Sequence, residues 1–308
     1  MRVGISIGTT FALDDHRAGP RSVVQQTRAA ARAGLDTISV GDHHASGPTS
    51  YLQNVPMLGR LLAEWDDRPA GCLFLVPLWH PVLMAEQIGT LAAIATGPFI
   101  VQTGLGGGSG QFRAMGARLS DRGRLLEAGI VAVQALLNGE TVTSERWGIE
   151  DARIAPLPPQ GTEWWIGGGA PTAIDRAARL GDCWYGNADL TPATAAASVA
   201  VYREACARHG REPVRIPIRK DVFVAESASE AEKLGAELMR AGYRGFERDA
   251  VAYGDPDGVA EQLAVFGELG FTDIIIRIMP APQDATVRSV ELAGQVRARL
   301  QAGRPSGA

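Results

Sequence analysis

Asp42-His43-His44 is where a carboxylate is followed directly by two imidazoles in this chain. Imidazole titrates near neutral pH and can give or take a proton, so Asp42 and His43 have the side chains of an acid–base pair. Neighbouring side chains on an extended chain point to opposite faces, so Asp42 need not bond His43 directly. His44 reads as a loop histidine satisfied by backbone groups. His80, just before Pro81, suits either a ligand contact or a helix start. These four side chains could ligate a metal, but no HxH or HExxH spacing is present, and no metal site is expected. A second group is glycine. Gly104-Leu105-Gly106-Gly107-Gly108-Ser109-Gly110 holds five glycines in seven residues. It is either a flexible loop or a wall along which a flat ring can lie without meeting a side chain. No GK[ST] follows, and no lone acidic residue sits about 20 residues on in a βαβ context. The third group, Trp164-Trp165-Ile166-Gly167-Gly168-Gly169-Ala170-Pro171-Thr172, reads as strand, glycine turn and helix start. Pro171 suits the first helical position, and the free N–H groups of such a turn suit an anion, most often a phosphate. The alternative is a tight turn with no ligand.

The elements that must hold these groups alternate. Short apolar runs at Val3–Ile7, Thr37–Val40, Cys72–Val76, Phe99–Thr103, Trp164–Ile166, Cys183–Tyr185, Asp221–Ala225 and Asp273–Arg277 are separated by amphipathic helical patterns. Continuously apolar strands are covered on both faces, and βα alternation implies a parallel sheet. Eight such units favour a closed (β/α)8 TIM barrel, with sites where strands end and loops begin. His43, His44, His80 and both glycine runs fall on those strand ends. Asn138–Glu163 and Arg240–Asp255 break the repeat and read as insertions at the C-terminal mouth, the first of them shaping specificity. The domain is expected to span residues 1–302, with a mobile tail at 303–308.

Composition narrows the partners. Of 308 residues, 45% are hydrophobic and 21% charged, with a net charge of −4, as in ordinary globular proteins. Basic residues are scattered, which argues against nucleic-acid binding. No run is long enough for a transmembrane helix, and the N-terminus is too short for a signal core. Cys72, Cys183 and Cys206 form no CxxC pair, which fits reduced thiols in a cytoplasmic protein.

The pieces together resemble the bacterial luciferase-like monooxygenase family, which includes coenzyme F420-dependent oxidoreductases. The resemblance runs over nearly the whole chain. It rests on Ala33-Gly34-Leu35-Asp36-Thr37-Ile38-Ser39-Val40-Gly41-Asp42-His43, on Pro77-Leu78-Trp79-His80-Pro81 with the helix after it, on Gly104–Gly108 with Phe112-Arg113-Ala114-Met115-Gly116, on Trp165–Gly169 with Ala177–Asp182, and on Gly254-Asp255-Pro256. It implies a TIM barrel that binds a flavin-type cofactor at its mouth. The ring would lie over Leu75 and Val76, where the family often has a non-prolyl cis peptide. Gly104, Gly106 and Gly107 would line it, and Gly167, Gly168, Gly169, Ala170 and Thr172 would seat its phosphate. Relatives using F420 commonly carry Asp-His after the second strand. Relatives using FMN often have a basic residue in the fourth-strand loop, and here none precedes Arg113. The resemblance therefore implies F420, with FMN as the alternative. With F420, hydride transfer is expected, with His43 exchanging a proton and Asp42 holding the ring or the cofactor. With FMN, the reaction would be monooxygenation, and a third reading is a flavin-binding protein without turnover. The substrate would be a small organic molecule, with Trp79 and His80 as weak contacts and Tyr51, Phe11 and Trp147 as further pocket candidates. Relatives often dimerise, so a homodimer is expected by analogy.

Overall fold

The computed structural model describes residues 1–11 and 15–302. Nine parallel strands form one sheet: β1 (Arg2–Ile7), β2 (Ile38–Val40), β3 (Ala70–Leu75), β4 (Phe99–Gly104), β5 (Thr162–Gly167), β6 (Cys183–Tyr185), β7 (Pro217–Val224), β8 (Val251–Gly254) and β9 (Asp273–Ile278). Their order across the sheet is β6-β5-β4-β3-β2-β1-β9-β7-β8. The large core lies between the sheet and its helices, where Val3, Ile38 and Val101 meet Val23, Leu58, Ile88 and Ile130. A small second core joins Ile100, Trp165 and Cys183 to Ile275. Ile275 is on β9, four strands from β4 in the order, so only a sheet curled on itself lets these residues touch. The curl also brings β6 to β7: Gly186 N–H donates to the Pro217 carbonyl (2.8 Å), and Arg219 N–H donates to that of Gly186 (3.1 Å).

Register then decides which side chains enter the hollow. Arg219 stands opposite Ile275 and Asp221 opposite Arg277. Gln102 stands opposite Leu73 and Trp165. Alternation along each strand puts all of these on the face of Ile275 and Trp165, inside the curl.

Two expectations change. Arg240–Asp255 is not irregular throughout: Val251–Gly254 is a strand, paired with Asp221–Val224. The run Val251-Ala252-Tyr253 carries the apolar signal but follows an irregular approach, and pairing with β7 rather than local pattern makes it a strand. The stretch Asn138–Glu163 is not at the C-terminal mouth. It leaves the helix Arg122–Leu137 and enters β5 at Thr162, so it lies at the opposite end of the strands. It forms the hairpin Val142–Ser144/Ile149–Ala152 and runs over the helix Pro81–Ile94, where the Pro156 carbonyl lies against Gly89. A role in substrate specificity is therefore removed. The expected tail, 303–308, lies outside the described residues. No described helix is long and apolar enough to cross a membrane.

Candidate active site at the strand ends

Asp42 follows β2 after a single intervening residue, Gly41, and its carboxylate is fully buried. Oδ2 accepts hydrogen bonds from the Leu75 backbone N–H and from the Trp79 indole, both at 2.8 Å. One carboxylate thus ties the exit of β2 to the exit of β3. Leu75 leaves the sheet at φ −80°, ψ 73°, and Val76–Leu78 make one 3-10 turn. The expected cis bond at Leu75–Val76 is absent: the cis bonds among the described residues are Gly47–Pro48 and Ala155–Pro156. Backbone torsions at Leu75 turn the chain, so the roughly 3–4 kcal/mol cost of a non-prolyl cis bond is not incurred.

The second Asp42 oxygen faces His44, not His43. His44 Nε2 lies 3.3 Å from Asp42 Oδ1, an ion-pair distance without hydrogen-bond geometry. His44 also stacks edge-on against Trp79, 5.7 Å between centroids. Its backbone N–H donates to Gln111 Oε1 (2.7 Å), and Gln111 Nε2 donates to the Gly107 carbonyl (3.1 Å). Gln111 therefore fastens the β2 loop to the glycine loop after β4. No sequence motif marks it. His43 is half-buried, with its ring 5.4 Å from that of Tyr51, and no protein carboxylate among the described residues claims its imidazole. His80 is exposed and precedes the helix Pro81–Ile94 without capping it.

β4 and β5 pair in register to Thr103 and Ile166, so their loops leave the sheet side by side. In the first loop, a Cβ added at Gly107 or Gly108 would meet nothing within 4 Å. Leu75 and Val76, both buried, lie at the adjoining β3 exit, and the Leu75 side chain reaches Gly104. In the second loop, Gly168 has φ 148°, and a Cβ there would sit 2.5 Å from that of Ala173. Glycine is required at that point. The Trp184 indole donates to the Gly168 carbonyl (2.8 Å) and fixes the turn. The helix Pro171–Leu180 starts at the surface, and the Ala170 cap position offers no side chain to its N–H groups. An uncapped N-terminus keeps its donors and its positive end for an anion.

Across the curl lies a group that the motif reading does not contain. Asp221, in β7, has a fully buried carboxylate. Its Oδ1 is 3.2 Å from Arg219 Nε, and its Oδ2 accepts from the Tyr243 hydroxyl (2.8 Å) and lies 3.7 Å from Arg244 Nε. Burial pushes the Tyr243 hydroxyl up, and Asp221 adds to it. Tyr185 is raised to about 12, again mainly by burial. Arg277 of β9 donates to Ser6 Oγ (2.9 Å). The sequence does contain part of a signal here: Asp221 and Arg277 are charges at the ends of runs that read as buried strand, and Arg219 lies just before the first of them.

The sequence profile of the luciferase-like monooxygenases matches residues 1–251. The chain belongs to this family. Members similar to it differ in cofactor. An F420-dependent glucose-6-phosphate dehydrogenase of Beutenbergia cavernae is 27% identical, over 91% of this chain and 94% of its own. An FMNH2-dependent dimethylsulfone monooxygenase of Pseudomonas fluorescens is 24% identical, over 61% of this chain and 52% of its own. Among solved structures, a monooxygenase of Streptomyces bottropensis superposes with a TM-score of 0.81 at 19% identity, over 96% of this chain and 98% of its own. That likeness extends to the fold.

Of the residues singled out in the sequence of this luciferase-like protein, Asp42, His43, His44, Trp79, Leu75 and Val76 gather at the exits of β2 and β3. The two glycine runs adjoin them. Tyr51 joins them through His43. Phe11 packs on Gly19 of the first helix instead. Trp147 lies in the hairpin at the other end, lining a groove with Val131 and Arg179. Cys72, Cys183 and Cys206 are buried and unpaired.

Proposed function

We propose that this luciferase-like oxidoreductase holds coenzyme F420 at the exits of β3, β4 and β5 and transfers a hydride between it and a small organic substrate. The observation that carries this reading is the pair of adjoining loops: an open glycine face at Gly107 and Gly108 beside an uncapped, exposed helix start after Gly167–Ala170. Such a cradle fits a flat ring with a phosphate-bearing tail. Leu75, Val76, Gly104 and Gly106 would border the ring, and Gly167, Gly168, Gly169, Ala170 and Thr172 the phosphate. When bound, the coenzyme supplies a hydride donor or acceptor. His43, with its imidazole not engaged by a protein carboxylate, exchanges a proton with the substrate. Asp42 acts as a positioning residue, fixing Leu75 and Trp79. The supports for F420 are the lack of Lys or Arg between Gly104 and Phe112 and the similarity to an F420-dependent dehydrogenase over most of both chains. FMN-dependent monooxygenation is the second reading, favoured by the similarity to an FMNH2-dependent enzyme. We also read the curled sheet as a (β/α)8 barrel closed at Gly186.

Titrating the purified protein separately with F420 and FMN, and following absorbance, tests the choice. Saturable binding of F420 is the expected result, and saturation by FMN without F420 binding would overturn it. In the loaded enzyme, His43→Ala should keep cofactor affinity and lose turnover. Unchanged turnover would remove His43 from the chemistry.

A further inference from the structure

Arg277 is the observation that the cofactor reading leaves unexplained. Arg277 as a residue is half-buried, and its Nε is shielded from water without a hydrogen-bond partner. Its neighbours do not neutralise it. Both oxygens of Asp221 are engaged by Arg219, Tyr243 and Arg244, and Arg277 bonds to the neutral Ser6. Three guanidinium groups thus surround one carboxylate. Burial, Arg219 and Arg244 all push the Arg277 pKa down, against Asp221 and Tyr51. Arginine nevertheless stays charged, and a desolvated charge requires a counter-charge. Two more buried polar atoms on the inward face have no partner: Ser39 Oγ, whose residue is the register partner of Ser6, and Gln102 Nε2. The pocket is also shaped deliberately. A Cβ on Gly41 would lie 2.6 Å from the Tyr51 hydroxyl and 3.4 Å from Arg277 Nη2, so glycine there lets both groups approach. Tyr51 in turn contacts His43, 5.4 Å between rings.

We infer that Arg277, with Arg219 and Arg244, binds an oxyanion carried by the substrate — a carboxylate, sulfonate or phosphate ester — and so sets the substrate beside His43. Planar guanidinium groups match two-oxygen anions, and the excess of cations selects charge over shape. The residues differ from those of the phosphate turn: Arg219 stands on β7, Arg277 on β9 and Arg244 in the approach to β8, whereas the turn follows β5. That the bound anion belongs to a substrate rests on the oxidoreductase reading. That an anion binds here does not.

Calorimetric titration with acetate, methanesulfonate and inorganic phosphate, at constant low ionic strength, tests it on the full chain. At least one probe should saturate a single site, and the tightest names the group. Arg277→Gln should weaken that binding about tenfold or more, the scale of a lost hydrogen bond to a charged group. Gly168→Ala, whose added Cβ would press on Ala173 in the helix after the phosphate turn, should leave it unchanged. No binding to the native protein, binding that neither variant alters, or binding lost in G168A and kept in R277Q would each overturn the inference. If R277Q does not fold, Arg277→Lys decides: severalfold weaker binding supports the site, and unchanged binding overturns it. The absorbance titration separates the two readings. Anion binding lost in R277Q without any F420 or FMN binding sinks the cofactor reading alone. Cofactor binding without anion binding sinks this one alone.

Discussion

Asp42 and Asp221 both have side chains shut off from water, yet their partners differ in kind. Asp42 spends one oxygen on a backbone N–H and an indole, groups that are neutral and fixed. Asp221 spends both oxygens on guanidinium groups and a phenol, and leaves a third guanidinium without a carboxylate. The first arrangement rigidifies the exits of two strands. The second concentrates positive charge on the inward face of β7 and β9. A buried carboxylate can therefore be architectural or can tune a charged recess, and its donor list tells which.

The sharpest test of the first half of this contrast is Asp42→Ala. It strands the Leu75 N–H and the Trp79 indole, and at about 1–3 kcal/mol for each unmet buried donor the loss should be about 4 kcal/mol. Denaturant unfolding measures it. A loss below about 1 kcal/mol would mean that Asp42 is not architectural.

Lys220, next to Asp221 but on the other face of β7, tests whether the positive charge is confined to the recess. Its ammonium donates to the carbonyls of Leu190 (2.7 Å) and Ala188 (3.3 Å) and lies 4.5 Å from the Phe266 ring centroid. Burial pushes it down from 10.5 to about 8. Between those values the unfolded chain holds the proton more firmly than the folded one, so stability rises with pH across that window. Below pH 8 the penalty is constant, at about 3 kcal/mol for a shift of this size. The stability difference between the native protein and Lys220→Met should climb by about that amount from pH 8 to 10.5. A flat difference would mean that Lys220 stays charged and belongs with the arginines.

Gly41→Ala bears on the recess itself. The added methyl group crowds Tyr51 and Arg277 together, and KM for an anionic substrate should rise about tenfold, or 1.4 kcal/mol, with kcat less affected. An unchanged KM would separate Gly41 from the anion site. The smallest effect is expected of Tyr243→Phe, which removes one hydrogen bond to Asp221. A stability loss of about 1 kcal/mol is expected from equilibrium unfolding, and a zero loss would show that Arg244 alone satisfies that oxygen.

The sequence by itself determined the alternation of apolar strands and amphipathic helices, the position of the glycine turns at strand ends and, through several motifs in order, the family. These are local properties: periodicity, glycine content and helix-start chemistry act over a few residues. Eight of the nine strands were legible this way, and the ninth, Val251–Gly254, lies inside the stretch that breaks the alternation and becomes a strand by pairing with β7. Tertiary structure alone decided three things. It paired Asp42 with His44 instead of His43, because the side chain that reaches a carboxylate depends on how the loop after β2 folds back. It moved the insertion 138–163 to the far end of the strands, because its location follows from the direction of the chain through the sheet. It also collected Arg219, Asp221, Arg244 and Arg277 into one recess. In a strand buried on both faces, apolar patterning does not say which face turns inward, and only the curl of the sheet brings residues so far apart in the chain to a common face.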